Sequence, residues 1–431
     1  MSGHGSSTGA PLHGTVRIRG GSIVDPRHGR RGEVGEILIA DGRVVETLPA
    51  GAPSFDAKGL VVMPGGVDLH THVAGPAIRA ARLLCPRGRH AACLPSIDET
   101  GRRYARLGYT TLFDAAIASS GARAAHEELD QLPILDKGIF VLAGAHAAAI
   151  KAARAGDPPR LAAILAALVE GARAHAIKIV DPGGVAAWRE ASADDADPAP
   201  LLRTFAEAAA TLRLPHPLHV HLPGLGRPGN AALTLRCLEA LAGTPAHLTH
   251  LQFHAYGGRT PRGLRSRAPE IAAWINAHPG PTIDVGQVVF GPAVTVSADA
   301  PAQSRLAQAT RARRLSLDIE SETGLGIVPH DYRAGSLTAA VQWAAGLELM
   351  LLVRDPWRLA LTTDHPNGGP FFAYPLIIRM LMDRAHREAI LAGAHPRAGA
   401  RTHLAGIARE YTLEEIAIVT RAAPARILGL A

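Results

Sequence analysis

Cysteine is scarce in this sequence of 431 residues. The three cysteines, Cys85, Cys93 and Cys237, include no C-x-x-C pair and do not make a disulfide framework. Such usage is typical of a reducing compartment and predicts a cytoplasmic location. Long apolar runs are lacking too: no stretch approaches the length of a membrane-spanning helix, and the leading MSGHGSSTGAPLHG has no apolar core of a secretory signal. We therefore expect no membrane partner.

Aromatic residues make up only 4% of the chain, and no stretch interleaves them with a stripe of basic residues. The formal net charge is +7, but the arginines and lysines are scattered along the sequence. Nucleic-acid-binding proteins usually concentrate positive charge on one face. We therefore expect no nucleic-acid partner. The excess of positive charge is explained equally well by solvated surface patches, an acidic partner protein or an anionic substrate.

What the sequence does contain is a repeated alternation of strand-like and helix-like segments. Eight apolar runs end in polar or glycine-rich turns, and Ala/Leu/Arg-rich stretches with helical spacing separate them. The runs lie at residues 60–72, 109–118, 138–147, 175–184, 216–224, 246–258, 281–291 and 358–369. Most intervals have the length of a strand-plus-helix unit, roughly 30–40 residues, which predicts a (β/α)8 barrel of the TIM type. The longer last interval predicts an insertion between strands seven and eight.

The segments on either side of the barrel differ from it. Residues 1–14 are predicted to form a disordered lead. Residues 15–62 alternate apolar and polar positions between Gly, Asp-Gly and Pro turns, which predicts a small β-sandwich-like domain. The metal-dependent barrel is predicted for residues 63–395 and a C-terminal helical segment for residues 396–431.

Polar side chains gather at the ends of the predicted barrel strands, where barrel enzymes place their active groups. In GGVDLHTHVAG, His70 and His72 are two residues apart, so both imidazoles are expected on one face of a strand together with Asp68. Later runs carry Lys178, His219, His221, His247, His250, His254, Asp364 and His365. A single strand histidine is weak evidence. Histidines on three strands, with a lysine and an aspartate on two others, indicate a site for zinc or a similar divalent ion.

Lys178 is unusual because it stands in the middle of the apolar strand AIKIV, where an unpaired ammonium group is costly. A carboxylate partner or a Schiff-base role would explain it. The neighbouring histidines favour carbamylation by carbon dioxide, which would turn Lys178 into a carboxylate able to bridge two metal ions. Two ions sharing a hydroxide can hydrolyse an amide without a serine or cysteine nucleophile, with Asp364 as the candidate for proton transfer.

These motifs resemble a known family. VDLHTH, the strand-borne lysine, the VHL and THL histidines and the final aspartate resemble the amidohydrolase superfamily of the dihydroorotase and hydantoinase kind. Longer stretches, such as HVHLPGLGRPGN and LTTDHPNGGPFFAYPLIIRMLMDR, resemble the A subunits of formylmethanofuran dehydrogenase and of the bacterial formyltransferase/hydrolase complex. The resemblance implies hydrolysis of the N-formyl amide of formylmethanofuran, or its methylotroph analogue, to formate and the free amine carrier. It also implies a multi-subunit complex in one-carbon metabolism.

The resemblance further implies a set of site residues. Two divalent ions, with zinc expected, would be held by His70, His72, carbamylated Lys178, His221, His250 and Asp364. Lys178 and Asp364 would be the catalytic residues. His221 is preferred to His219, and His250 to His247 and His254, because their motifs match the family's fifth and sixth strands. Substrate or ligand contacts are predicted for His254, Asn230 and Asn367.

Two other functions stay open. One is a free-standing cyclic amidase of the hydantoinase or dihydroorotase kind, against which the long TTDHPNGGPFFAYP stretch argues. The other is a non-catalytic scaffold protein of the complex that retains the barrel. Members of the resembling family usually continue past ARILGL into strands that pair with the N-terminal ones, so the C-terminal strands are expected to be truncated at Ala431.

Overall fold

The computed structural model describes residues 14–144, 146–181, 197–317 and 325–430. The chain divides into two compact units, Met1–Pro64 and Gly65–Ala431. Apart from Gly14, the predicted disordered lead lies outside the described residues. The domain boundaries proposed from the sequence for the rest of the chain stay predictions.

The smaller unit contains one five-stranded mixed sheet. Its strands are β1 (Val16–Asp25), β2 (Arg30–Ala40), β3 (Arg43–Val45), β4 (Ser54–Asp56) and β5 (Val61–Val62). β2 pairs antiparallel with both β1 and β3, whereas β4 and β5 pair with β1 in parallel. Asp41 and Gly42 both adopt a positive φ between β2 and β3, the conformation that a two-residue hairpin turn requires. The described residues of this unit form this one sheet, and the sandwich-like arrangement expected from the sequence stays a prediction.

Eight parallel strands form the barrel of the larger unit. In chain order, barrel strands one to eight are β6 (Gly66–Thr71), β7 (Tyr109–Ile117), β8 (Asp136–Leu142), β9 (Ala176–Val180), β10 (Leu218–His221), β11 (Ala246–Leu248), β14 (Thr282–Asp284) and β18 (Leu359–Ala360). Each pairs with the next, and Thr71 of strand one pairs with His365 beyond strand eight. The N–H of His72 donates to the carbonyl of His365 at 2.7 Å, which closes the circle. Each strand overlaps one predicted run, so the predicted barrel is confirmed.

Helices alternate with these strands, and most of them pack on the strands through one large apolar core. They are α1 (Gly75–Leu84), α2 (Ile97–Arg106), α3 (Ala122–Leu129), α4 (Ala147–Arg154), α5 (Pro158–Ala172), α6 (Ala199–Thr211), α7 (Ala231–Ala240), α8 (Ala268–Ala277), α9 (Ala300–Thr310), α10 (Leu337–Leu352), α11 (Tyr374–Met382), α12 (Arg384–Ala392), α13 (Leu413–Ala417) and α14 (Ala423–Ile427). Local sequence sets their starts: the side chains of Ser96 and Asp157 accept backbone N–H groups in the first turns of α2 and α5. In the described part of the chain, no helix has both the length and the apolar character needed to cross a membrane.

An insertion separates strands seven and eight, as the spacing of the runs predicts. It contains β15 (Gly291–Ser297), β16 (Leu315–Leu317) and β17 (Leu325–Tyr332), which form an antiparallel sheet in the order β15-β17-β16, together with α9. A smaller hairpin, β12 (Tyr256–Gly257) with β13 (Arg265–Ser266), follows strand six.

The C-terminal segment packs against the beginnings of the barrel strands. A π-helical turn at Ile418–Ala422 joins α13 to α14, and Ile418 and Ile427 pack with Val67 and Phe140 in a separate apolar cluster. The N–H of Leu361 donates to the carbonyl of Val419 at 2.9 Å. This end of the barrel is therefore filled by apolar side chains, and polar side chains gather at the other.

Candidate metal centre

The six side chains predicted as metal ligands line one cavity of about 800 Å³. Lys178 stands in the middle of strand four, and the others lie at or just beyond the C-terminal ends of strands one, five, six and eight. All six are at least nine-tenths buried: His70, His72, Lys178, His221, His250 and Asp364. Strand ends far apart in the sequence thus meet at the face of the barrel where enzymes of this fold place their reacting groups.

His70, His72 and Asp364 each present a ligand atom within 4.8 Å of the other two. The Oδ1 atom of Asp364 lies 3.2 Å from Nε2 of His70 and 3.0 Å from Nε2 of His72. The backbone of Asp364 has a φ of 50°, and that of His250 a φ of 36°. Such left-handed conformations are unfavourable for residues with a side chain, and they cluster at functional sites where the surrounding fold enforces them.

The atoms of this group suit a cation. A carboxylate only accepts hydrogen bonds, and Nδ1 of His70 lies closer to Asp284, at 2.8 Å, than Nε2 lies to Asp364, at 3.2 Å. We therefore assign the ring's hydrogen to Nδ1, which leaves a lone pair on Nε2. His72 faces the carboxylate of Asp114 with its Nδ1 at 3.5 Å. Two imidazole lone pairs and a carboxylate oxygen then face one another. They repel unless a proton or a cation lies between them, and imidazole with carboxylate is a ligand set typical of zinc.

A proton on His72 competes with a cation for the space between His72 and Asp364. Burial lowers the pKa of His72, but hydrogen bonds with Asp114 and Asp364 outweigh burial and raise it to about 9. Metal ligands must be deprotonated to bind, so we expect a cation to displace a proton here.

Lys178 lies in the barrel wall with 2% of its surface exposed. Its Nζ is 3.2 Å from Nε2 of His70. Burial lowers the pKa of Lys178 to about 8, although the carboxylates of Asp364 and Asp284 act in the opposite direction. Part of the amine is therefore neutral near pH 7, and a neutral amine is the form that attacks carbon dioxide.

His221 and His250 form the other side of the group, with ring centroids 4.5 Å apart. Among the described residues, Nδ1 of His250 and Nε2 of His221 make no hydrogen bond, although Nε2 of His221 is 3.5 Å from Asp299. Burial, helped by the neighbouring His221, holds the pKa of His250 well below its ordinary value, so this ring is neutral. An unpartnered buried nitrogen is costly unless an ion or ligand satisfies it.

The rival histidines lie differently. His254 also has two buried ring nitrogens without a hydrogen-bond partner among the described residues, and its ring centroid is 5.6 Å from that of His250. Only His250 of this pair lines the cavity. His247 is engaged on both sides, by Thr282 at 2.9 Å and Asp284 at 3.2 Å. Their positions favour His250 as the ligand.

His219 lies deeper in the barrel than His221. Its Nδ1 is 2.9 Å from Nε2 of His216, and it does not line the cavity. His221 does, which favours it over His219 as the fifth-strand ligand.

Two asparagines predicted as substrate contacts make structural hydrogen bonds. Asn230 makes three hydrogen bonds to backbone groups of the surrounding loops and does not line the cavity. Asn367 lines it, donating to Oδ1 of Asp364 at 2.9 Å and accepting the N–H of Val296 at 2.6 Å. Asn367 therefore ties the orientation of Asp364 to the insertion, while Asn230 holds a neighbouring loop.

Asp68 does not join this group, so the expectation that it shares a face with His70 and His72 is wrong. Its carboxylate accepts hydrogen bonds from the hydroxyls of Tyr104, at 2.7 Å, and Tyr374, both on helices. Strand one shifts register against strand two between Asp68 and Thr71. Such irregularities re-aim side chains, and strict alternation fails there. Burial raises the pKa of Asp68 to about 7, against these hydrogen bonds.

Two carboxylates that the sequence analysis did not single out orient the histidines. Asp114 in strand two faces His72 and accepts the N–H groups of Val73 and Ala74 at 2.8 and 3.0 Å. Asp284 at the end of strand seven faces His70. Both are acids inside apolar runs, YTTLFDAAIA and PTIDVGQVVFG. The argument that singled out Lys178, the cost of burying a charge, would have found them as well.

The insertion forms one wall of the cavity. Its lining side chains include Thr295, Gln303, His330 and Tyr332. Three arginines also line the cavity, Arg227, Arg259 and Arg305. The cavity thus joins a cluster of metal-ligating groups to a space, lined by apolar and polar side chains, that is large enough for a small-molecule substrate.

The sequence matches the amidohydrolase family over residues 54–431. The chain belongs to this family. The amidohydrolase match spans the whole of the larger unit, including every residue of the candidate centre, and it confirms the superfamily resemblance of the VDLHTH, VHL and THL motifs.

Among curated relatives of this amidohydrolase, the A subunit of the formyltransferase/hydrolase complex of Methylorubrum extorquens is 39% identical over 445 residues, covering 96% of this chain and 80% of the relative. Protein FwdA of Methanocaldococcus jannaschii is 38% identical over 448 residues, covering 96% of this chain and 79% of that protein. The predicted kinship with these proteins is confirmed, and with it the prediction of a hydrolase.

Solved structures agree with this assignment. The crystal structure of the formyltransferase/hydrolase complex from Methylorubrum extorquens, in complex with methylofuran, matches with a TM-score of 0.90 at 38% identity, covering 97% of this chain and 81% of that one. N-acyl-D-glutamate deacylase from Bordetella bronchiseptica, at 16% identity and a TM-score of 0.55, shares the fold.

Proposed function

We propose that this chain hydrolyses the N-formyl amide of a methanofuran-like carrier to formate and the free amine, as one component of a multi-subunit complex with two divalent metal ions. The observation that carries the proposal is the convergence of all six predicted ligands on one cavity. Its support comes from the 39% identity to a component of a formyltransferase/hydrolase complex. The related complex was crystallised with methylofuran, which favours a carrier of that kind.

The ions would be held by His70, His72, His221, His250, Asp364 and the carbamate of Lys178, with zinc expected. Divalent ions bound there would polarise the formyl carbonyl and lower the pKa of water towards neutrality. Carbamylation adds carbon dioxide to the neutral amine of Lys178 and releases one proton. The product is an anion in place of a buried cation, and the two divalent ions beside it would balance its charge.

Asp364 is placed to move the proton. In the overall reaction, a water oxygen bonds to the formyl carbon, the carbon–nitrogen bond breaks, and the leaving nitrogen takes up a proton. Asn367 holds Oδ1 of Asp364 at the cavity surface by a hydrogen bond of 2.9 Å. We expect the carboxylate to accept a proton from the attacking water and to donate it to the carrier's nitrogen.

The cavity also has room for the part of the substrate beyond the formyl group. Its volume of about 800 Å³ exceeds what a formamide group alone would fill. Its lining is more apolar than polar and includes three arginines, so it suits a carrier tail that combines an apolar part with polar groups.

The test is formate release by the full chain, purified with its co-purifying partner proteins and loaded with zinc. We expect formylated methylofuran or methanofuran to give formate and free amine in equal amounts. Hydantoin and dihydroorotate serve as the comparison substrates. Ring opening of either, without formate from the formylated carriers, would overturn the proposal in favour of a cyclic amidase.

The other functions have less support. Similarity to a dihydroorotase from Citrifermentans bemidjiense, at 38% identity, extends over only 80 residues, or 17% of this chain. A scaffold without catalysis would be free to lose its ligands, whereas all six positions here keep a ligating residue type. Metal content near two per chain together with formate release would exclude the scaffold.

A further inference from the structure

Barrel strand seven supplies none of the six predicted ligands, yet it ends in a fully buried carboxylate, Asp284. Its Oδ2 atom faces ring nitrogens of His70 at 2.8 Å and His247 at 3.2 Å. Its Oδ1 atom accepts the backbone N–H of His250 at 2.7 Å and the hydroxyl of Thr362 at 3.2 Å. Four donor groups around one carboxylate satisfy both of its oxygens.

Three of these contacts lead to predicted ligands on three different strands. Asp284 touches the ring of His70 and the backbone of His250, whose left-handed φ of 36° needs to be held by its surroundings. Thr362 accepts the backbone N–H of Asp364 at 3.4 Å while donating to Asp284. Strands one, six and eight are thus connected through one side chain on strand seven.

We propose that Asp284 is the positioning residue of the metal centre, which fixes the tautomer of His70 and sets the backbone of His250 and Asp364. This inference rests on the proposed function, because it assumes that these residues bind metal. Asp284 does not line the cavity, and it acts only through the residues that do.

The clearest consequence of the contact with Asp284 concerns which ring nitrogen of His70 carries the hydrogen. With a carboxylate at its Nδ1, His70 keeps its hydrogen there and its Nε2 lone pair turns to Lys178 and Asp364. An asparagine at position 284 can turn its NH2 group towards Nδ1, and the hydrogen of His70 then moves to Nε2, which can no longer ligate. Carboxylate partners of metal-bound histidines generally act in this way, and their loss costs about 10–100-fold in metal affinity or activity.

The backbone beside Asp284 shows how closely strand seven approaches the ligands. Gly286 has a φ of +60°, and a Cβ built there would lie 2.4 Å from the Cβ of His250. Only glycine fits at this distance, so the strand reaches the centre without a side chain of its own at this position.

Asp284→Asn is the test, and the chain offers a matched control. Asp68 is equally buried and also bonds to His70, but through the backbone N–H at 3.1 Å and not through the ring. The readouts are zinc affinity by competition with a chromophoric chelator and the visible spectrum of the cobalt-substituted protein. We expect D284N to bind zinc about 10–100-fold more weakly with an altered cobalt spectrum, and D68N to match the wild type in both.

Two neighbouring threonines provide a second test that does not depend on D284N folding. Thr362 links Asp284 to Asp364, whereas the hydroxyl of Thr363, also buried, has no hydrogen-bond partner among the described residues. Thr362→Val is expected to weaken zinc binding and Thr363→Val to leave it unchanged.

Wild-type affinity and spectrum in D284N and T362V would overturn the inference. Equal losses in D284N and D68N, in step with melting temperature, would also overturn it, because they would mark a merely structural role. A wild-type protein that binds no divalent metal would overturn both the inference and the proposed centre. Tight metal binding without formate release would instead overturn the proposed substrate and leave the role of Asp284 standing.

Discussion

The two ends of the barrel use histidine in opposite ways. The closed end is the one that the C-terminal segment covers, and the open end is the one that carries the cavity. At the closed end, Nε2 of His175 is 2.8 Å from the carbonyl of Leu428, and Nδ1 of His216 is 2.9 Å from that of Ile427. At the open end, His221 and His250 each leave a buried nitrogen without a hydrogen bond among the described residues. In this comparison, a buried histidine is structural where a backbone carbonyl accepts its hydrogen, whereas an unpartnered ring nitrogen that lines the cavity is a candidate ligand for an ion.

His219 lies between the two ends and shares properties of both. Its Nδ1 faces His216, which belongs to the closed end, whereas its Nε2 has no hydrogen-bond partner among the described residues. Burial, together with the nearby Lys178, holds the pKa of His219 well below its ordinary value. The ring is therefore neutral, as is required beside a site that is to hold cations.

The largest effect on metal content and activity is expected from replacing Lys178, the proposed bridging ligand at the open end. Lys178→Ala should lose metal and formate release together, because no other side chain in that strand can replace the carbamate. Metal per chain by mass spectrometry and formate by a coupled assay are the measurements. Lys151→Ala, at an exposed lysine on α4, is the matched control and should behave as wild type. A K178A protein with two metals per chain would contradict the bridging role.

Asp364→Asn should separate metal binding from turnover at the same end. Asparagine has the same shape and keeps an oxygen, so much of the metal is expected to stay bound. The proposed general base is lost, and kcat should fall by about 10²–10⁴-fold. Steady-state kinetics at fixed metal content checks this prediction. A rate within tenfold of wild type would assign the proton transfer to another group.

The pH dependence of carbamylation tests the open end alone, because Lys178 belongs to that end and no group of the closed end takes part. Burial lowers the pKa of Lys178 to about 8, so the amine is mostly protonated below that pH and neutral above it. At constant dissolved carbon dioxide, reactivation of metal-free protein with zinc should speed up by at least about tenfold per pH unit from pH 6 to 8, since loss of a proton from His72 acts in the same direction. A rate independent of pH between 6 and 8 would refute this account of Lys178.

The smallest effect is expected at the closed end. His175→Phe keeps an aromatic ring next to Phe113 but leaves the carbonyl of Leu428 without its partner. The free energy of unfolding should fall by about 1–3 kcal/mol, measured by chemical denaturation, with kcat and metal content unchanged. If metal is lost in this variant, the two ends are coupled and the comparison fails.

Periodicity and motif spacing predicted the barrel because each strand-plus-helix unit is specified locally. Runs such as AIKIV and VDLHTH carry both the strand pattern and the chemistry at its end, so Lys178, His70 and His72 could be named from the sequence. The same reasoning failed for Asp68, where a register shift reversed the face that alternation predicts. Irregular pairing depends on the neighbouring strand and leaves no mark in a single run.

The sequence could only partly predict which of two neighbouring histidines is the metal ligand. The family resemblance favoured His221 over His219 and His250 over His254, but the residues alone left these pairs open. In the structure, depth along the strand and position at the cavity distinguish them. Both depend on how strands tilt and close around the barrel axis.

The sequence by itself determined which residue types stand at the strand ends and therefore what chemistry the barrel can perform. Only the tertiary structure decided which atoms meet. The contact of His70 with Asp284 joins residues 214 positions apart, and that of Asp68 with Tyr374 joins residues 306 apart. Local patterns specify strands and helices because their hydrogen bonds are local, whereas contacts of this span follow from barrel closure and from the need to pair every buried polar group.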